Sequence, residues 1–166
     1  MIIISKNLNK NYLINALELY NFYIINSFSN FEEKKVTIKI FNFLYKNIKL
    51  NKLPFLIAVE NKEVVGMAYV NKFREKSGYR FTFEHSIYVN PKFTNKGYGS
   101  KILKELLNQC KNNKKIKNLI AVIGGSDNTA SIKLHKKYGF RYIGTITKAG
   151  YKKKKWVDSV YMQKRL

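Results

Sequence analysis

Glu84 lies in the run Phe81 to Val89, rich in aromatic and β-branched residues, which stops at Asn90-Pro91. The run predicts a strand, because a proline has no N–H for a ladder and restricts the residue before it. Gly97-Tyr98-Gly99-Ser100 follows. Ile102, Leu103, Leu106 and Leu107 then recur at helical spacing with Lys101, Lys104 and Glu105 between them, so a helix starts near Gly97. The first N–H groups of a helix lack partners and its dipole is positive at that end, and glycines let a ligand approach the backbone closely. The pattern thus reads as a pyrophosphate cradle beside a general base. A tight strand-to-helix connection with no ligand uses the same glycines.

The residues beyond repeat the theme. Leu119 to Ile123 is a short apolar run of strand type. Asn128-Thr129-Ala130-Ser131 precedes an amphipathic run, Ile132 and Leu134 to Tyr138, closed by Gly139-Phe140, which predicts an N-capped helix with a glycine stop. The order is strand, phosphate turn, helix, strand, helix, strand. The segments FEHSIYV, NKGYGS, IAVIGGSDNTASIKLHKKYGF and GYKKKKWVD resemble the acyl-CoA-binding core and tail of the GNAT superfamily of N-acetyltransferases. Within it they resemble the phosphinothricin and methionine sulfoximine acetyltransferase family. Tyr20-Asn21 to Ser27, Phe31-Glu32 and FLIAVENKEVVGMAYV fall in that family's order too, so the likeness covers most of the chain.

The resemblance implies an α/β (α+β) fold: a mixed, mostly antiparallel central sheet flanked by helices, with acetyl-CoA as co-substrate between splayed central strands. It implies direct acetyl transfer to a small amine of the methionine sulfoximine, methionine sulfone or phosphinothricin kind, and a homodimer. No metal is called for. The cofactor-binding positions are then Ile87, Tyr88, Val89, Asn95, Lys96, Gly97, Tyr98, Gly99, Ser100 and Asn128. One departure stands out: where the family usually has Gln or Arg, three residues before Gly97, this chain has Thr94. A side-chain phosphate contact is therefore absent, while the backbone of Asn95 to Gly99 and the charge of Lys96 remain.

Acetyl transfer from a thioester needs a neutral amine, a polarised carbonyl and a proton for the leaving thiolate. Glu84 is the expected base, acting directly or through a water. Among Phe81, Phe83 and Tyr88, partial burial would raise its pKa. An exposed strand carboxylate, or a partner for a lysine, is the competing reading. Backbone N–H groups near Ile87 to Val89, where the resemblance places the thioester, would steady the oxyanion. His135 occupies a position where many relatives outside this family carry a tyrosine near the CoA sulfur, and it is either the proton donor to the thiolate or a satisfied packing residue. His85 alternates with Glu84, faces the other way in a regular strand and stays outside the catalytic set. Asn128 combines a helix cap with amide groups able to bond the pantetheine arm. For the acceptor, Phe73, Arg74, Tyr79 and Arg80 lead into the Glu84 strand. A guanidinium from Arg74 or Arg80 suits an amino-acid carboxylate, and both equally suit the surface. Trp156 reads as pocket lining, dimer contact or core.

The first half is consistent with this. Asn9 to Phe28 places Leu13, Leu17, Tyr20 and Ile24 on one face, a helix capped by Asn9 or Asn11. A second helix is expected from Glu32 to Ile48, with Val36, Ile40, Phe43 and Leu44 inward. Leu56 to Glu60 and Val64 to Val70 form a half-buried hairpin around Asn61-Lys62. Ile2 to Ile4 reads as a short strand.

Residues 1–166 suit a single domain, with 45% apolar and 14% aromatic residues and no run long enough to span a bilayer. Polar Ser5 to Lys10 after Ile2 to Ile4 argues against a signal peptide and for the cytoplasm. The lone Cys110 has no disulfide partner or activating base in view. The net charge of +22 is almost all lysine, with only four arginines, spread along the chain as an adenine- and thymine-rich genome would write neutral surface. The dense patches Lys111 to Lys117 and Lys152 to Lys155 read as solvated helix exits or hairpin turns. Two other readings stay open: an acetyltransferase of a macromolecular amine, such as a protein N-terminus or aminoacyl-tRNA, and a basic nucleic-acid-binding module without catalysis, against which Glu84 speaks.

Overall fold

The computed structural model describes residues 3–5 and 8–166. Its elements are β1 (Ile3–Ser5), α1 (Lys10–Asn26), α2 (Ile38–Leu50), β2 (Phe55–Glu60), β3 (Glu63–Lys72), β4 (Thr82–Val89), α3 (Tyr98–Lys111), β5 (Asn118–Gly124), α4 (Thr129–Lys137), β6 (Arg141–Lys152) and β7 (Lys155–Arg165). They build a seven-stranded sheet in the order β1-β2-β3-β4-β5-β7-β6. β4 and β5 run parallel, and the other neighbours pair antiparallel. This is the expected mixed sheet. Of the first predicted strand, Ile2 lies outside the described residues.

Local chemistry sets most boundaries. The Asn9 side chain accepts from the Tyr12 N–H at 2.9 Å and starts α1, choosing Asn9 over Asn11 as the cap. Asn61 and Lys62 both take positive φ, 49° and 66°, as a two-residue β2–β3 turn requires. That hairpin is more deeply placed than its sequence suggests: Phe55 to Val59 and Val64 to Val70 are buried throughout, because α1 and α2 cover one face and α3 the other.

The second helix departs from expectation. It begins at Ile38 with Thr37 as cap, and Phe41 and Ile48 are its buried residues, with Leu44 and Tyr45 packed at the core's edge. Ile40 and Phe43 are exposed, at 55% and 73%. The segment is apolar on several faces, so its pattern alone does not select the inward one. β6, the strand expected after the α4 helix, is a long edge strand, and most of it is exposed.

Two long-range contacts hold the segment between α1 and α2 against the far half of the sheet. Lys152 is buried at 2% exposure, and its Nζ donates to the Ser27 carbonyl at 2.9 Å and to the Asn30 carbonyl. It is therefore not part of a solvated turn, although Lys153 and Lys154 beside it do form the β6–β7 turn with positive φ. At Gly124 the Phe28 carbonyl oxygen comes so close that an added Cβ would lie 1.8 Å from it. Gly124→Ala must push that segment off β5. It is expected to cost about 3 kcal/mol, of the size of an overpacked core, and to lower Tm by about 10 °C in a scan; an unchanged Tm would show that the close approach is not obligatory.

Candidate active site

The pairing of β4 with β5 covers only Thr82 to His85 against Asn118 to Ala121. Beyond His85 the two strands part, although β4 keeps its antiparallel ladder with β3 as far as Val89. A cleft of about 400 Å³ opens at this fork, lined by Ser86, Ile87, Tyr88 and Val89 of β4 and by Ala121 to Gly124 of β5. An edge of β4 backbone thus faces a cavity at the centre of the sheet, where its polar groups meet whatever enters.

The glycine turn closes one end. Asn95 and Gly97 take positive φ, 61° and 77°, and Gly97 is the N-cap of α3 with no side-chain cap bond. Left-handed residues just before a helix turn successive N–H groups to one side, an arrangement that binds anions. Thr94, Asn95, Gly97, Tyr98 and Gly99 line the cleft. The Thr94 hydroxyl is turned back to the Pro91 carbonyl at 3.1 Å, and Lys96 lies over the Phe93 ring at 5.4 Å. Lys96 and Ser100 are not among the lining residues. The Tyr98 hydroxyl donates to Glu60. The opposite wall comes from α4, where Asn128 caps the helix through a 3.2 Å bond from the Ser131 N–H, and from Ala130, Ser131, Leu134 and His135. The phosphates, pantetheine arm and thioester of a CoA derivative fit this sequence of surfaces.

Glu84 stands opposite Asn71 of β3 and Ile120 of β5, on the same side as Ser86 and Tyr88. Tyr88 packs there against Tyr20 and Tyr23 of α1, so Glu84 shares the α1/α2 side of the sheet. Burial raises its pKa above the ordinary carboxylate range, and the Arg74 guanidinium opposes this only in part. No hydrogen bond or ion pair joins Glu84 to a lysine or other side chain among the described residues. The neighbouring phenols stay protonated: burial pushes Tyr69 and Tyr88 upward, and Tyr88 accepts from the Asn30 amide at 3.2 Å.

His85 faces the opposite side, as alternation requires, and there it meets His135 with the two Nε2 atoms 2.9 Å apart. Both rings are buried, pack on Phe140 and border the cleft. Burial pushes both pKa values down, that of His85 to about 3. Sequence reasoning set His85 aside because strand alternation turns it from Glu84. It could not see that α4 brings a second imidazole to the same side. Tyr23, Ser29 and Ser131 were also missed as lining residues. The Tyr23 hydroxyl donates to the Val89 carbonyl at 2.6 Å, which ties α1 to the fork.

Phe73, Arg74, Tyr79 and Arg80 gather in the β3–β4 connection. Phe73 and Tyr79 meet edge to face, Arg74 lies 4.6 Å over Phe73, and Arg80 lies 4.7 Å over Phe81 while donating to the Ser77 carbonyl. Arg74, Tyr79 and Arg80 line a second depression beside Phe83, which shares no residue with the cleft at the fork. Of these four, Arg74 is the residue whose charge reaches Glu84. Trp156 is exposed and packs on Tyr151 across the β6–β7 hairpin, which removes the core reading. Cys110 is buried in α3, and burial pushes its thiol up to about 12, far from a reactive thiolate. Among the described residues no cluster of three or more His, Cys, Asp or Glu could hold a metal, and no helix is long and apolar enough to cross a membrane.

A forked parallel pair with a glycine turn at a helix start suits a site that handles acyl-CoA, and Glu84, in the paired stretch just before the fork, is not among the residues that line the cleft. Residues 16–140 match the Acetyltransferase (GNAT) family, and the chain belongs to that family. It is 39% identical to the phosphinothricin N-acetyltransferase of Alcaligenes faecalis over 114 residues, 69% of this chain and 57% of that protein. It is 32% identical to the L-methionine sulfoximine/L-methionine sulfone acetyltransferase of Salmonella typhimurium over 150 residues, 90% of this chain and 86% of that one. Its fold matches the crystal structure of a phosphinothricin acetyltransferase from Sinorhizobium meliloti in complex with acetyl-CoA at a TM-score of 0.92 and 30% identity, covering 99% of this chain and 88% of that one.

Proposed function

We propose that this protein is an acetyl-CoA-dependent N-acetyltransferase that acts on the primary amine of a small amino-acid-like substrate of the methionine sulfoximine, methionine sulfone or phosphinothricin kind. The observation that carries the reading is the fork itself: a cradle for the phosphates, an open β4 edge for the thioester, and Glu84 on the sheet's other side. Acetyl-CoA supplies the activated acetyl group. The backbone of Asn95 to Gly99 receives its phosphates, Asn128 steadies the pantetheine arm, and N–H groups of Ile87 to Val89 stabilise the oxyanion. An amine arriving from the α1/α2 side meets Glu84, whose raised pKa suits it to take the ammonium proton. Arg74, within charge reach of Glu84, receives the acceptor's carboxylate, with Phe73, Tyr79 and Arg80 forming the approach. His135 supplies the proton for the departing thiolate.

Residues 1–166 work as one acetyltransferase domain in this reading, in the cytoplasm, where a lone buried cysteine stays reduced. The functional unit is a homodimer built on the β6–β7 hairpin. Tyr142, Ile143, Ile146 and Tyr151 of the edge strand β6, with Trp156 of β7 beside Tyr151, are exposed there, a surface that chains normally cover. Light scattering is expected to give twice the chain mass, and Ile143→Lys should reduce it to one; a monomeric wild type would remove the dimer.

The +22 charge favours a second acceptor class, macromolecular amines, because a positive field speeds encounter with polyanions such as tRNA. Release of CoA thiol at moderate salt across free amino acids, methionine sulfoximine, phosphinothricin, peptides and aminoacyl-tRNA separates the classes. Stimulation by a small amino acid is expected. Stimulation by peptides or aminoacyl-tRNA alone would transfer the activity to a macromolecular acceptor.

A further inference from the structure

The two histidines of this chain form one unit whose protons follow from their partners. His85 Nδ1 lies 3.1 Å from the Ile120 carbonyl oxygen, a group that only accepts, so Nδ1 carries the proton. A neutral His85 then offers an unprotonated Nε2. That atom faces His135 Nε2 at 2.9 Å, and two lone pairs do not meet at that distance, so His135 Nε2 carries a proton. Only His135 Nδ1 is left to load and unload. It lies 2.7 Å from the Ser131 carbonyl oxygen, which only accepts, so this geometry is the loaded one with His135 protonated on both nitrogens; the Ser131 hydroxyl, 3.4 Å away, is the group from which Nδ1 accepts once bare. Ser131 lines the cleft.

We propose that His85 is a positioning residue for acetyl transfer: its Nε2 holds the Nε2 proton of His135 and so makes Nδ1 the nitrogen that exchanges protons with the cleft through the Ser131 hydroxyl. The inference rests on the proposed role of His135. In the step itself the departing thiolate takes the Ser131 hydroxyl proton while Oγ takes the proton of Nδ1. His135 is left neutral with its Nε2–H still on His85, and Nδ1 reloads from water. The acceptor ammonium gives up two protons as it becomes an amide, so one is released overall.

The surroundings fit a unit that gives up its extra proton readily. The influences on the pair are burial, the other ring and the two carbonyls, with no carboxylate from β4, β5, β7, α3 or α4 among them. Glu84 of β4 faces the other side, and Lys133, Lys136 and Lys137 of α4 are exposed. Burial opposes the charge of the loaded pair, so it favours giving the Nδ1 proton away as negative charge develops on the sulfur.

With two histidines in the chain, imidazole 15N spectra assign both rings directly. The expected wild-type spectrum shows His135 protonated at Nε2, with a coupling across the Nε2–Nε2 bond. In His85→Phe the proton is expected to move to Nδ1. Turnover should fall at least about tenfold, as for loss of proton transfer, with KM for acetyl-CoA unchanged. His85→Asn, whose side-chain carbonyl can accept from Nε2–H, should recover most of that loss. A wild-type His135 with Nε2 bare, or a His85→Phe variant with unaltered tautomer and turnover, would overturn the inference. If the spectra are as expected but His135→Ala turns over like the wild type, the role of His135 in the reaction fails and His85 positions nothing for catalysis.

Discussion

Glu84→Gln is expected to lower turnover by about 10²- to 10⁴-fold, the usual range for removing a general base, while KM for acetyl-CoA stays within a factor of about two because the change lies on the side of the sheet away from the cradle. The amide keeps the size of the side chain and the strand register, so the loss reports chemistry. The pH dependence carries the same signature. The base works as carboxylate, and burial holds its pKa above the ordinary value, so activity should fall as pH drops through that raised value. In Glu84→Gln this acidic limb should vanish from the residual rate. Equal turnover by the variant would take Glu84 out of the mechanism and leave water or the acceptor's own ionisation to supply the neutral amine.

Gly99→Val is expected to have the largest effect on cofactor binding. A Cβ at Gly99 would lie 3.4 Å from Leu134 Cδ2 and 3.5 Å from Val89 Cγ2, ordinary contacts that the fold tolerates. The two further methyls would have to occupy the space where a ligand meets the first turn of α3. Affinity for acetyl-CoA should fall about 100-fold, close to 3 kcal/mol, with little change in Tm. The same substitution at Gly97 is less informative, because its φ of 77° strains any side chain whether or not a ligand binds. Undiminished acetyl-CoA binding by Gly99→Val would mean that the glycine turn is only a connection.

The turn before α3, the cap of α4 and the place of Glu84 in β4 were legible in the sequence because each is a local device. Pro91 ends β4, Gly97 in the left-handed region starts α3, and Asn128 caps α4, and each acts within a few residues of itself. The features that escaped depend on residues far apart in the chain. Lys152 looks like one of a run of surface lysines until the carbonyls of Ser27 and Asn30 close around its ammonium. Ile40 and Phe43 look as buried as Phe41 until the packing against β2 and β3 selects a face. His85 meets His135 only because the parallel β4–β5 pair brings α4 back over β4. A reading by periodicity sees which way His85 points, not what waits there.

In the proposed reaction the acetyl group passes directly from acetyl-CoA at the β4–β5 fork to an amine, with no acyl-enzyme between them. Acetyl-CoA labelled in its acetyl group, incubated with the protein alone and then with methionine sulfoximine, tests it in one experiment. No label is expected on the denatured protein and, once the amine is present, label is expected in its N-acetyl product matched by free CoA thiol. Label retained on the protein, or no labelled product with any amine offered, would contradict it.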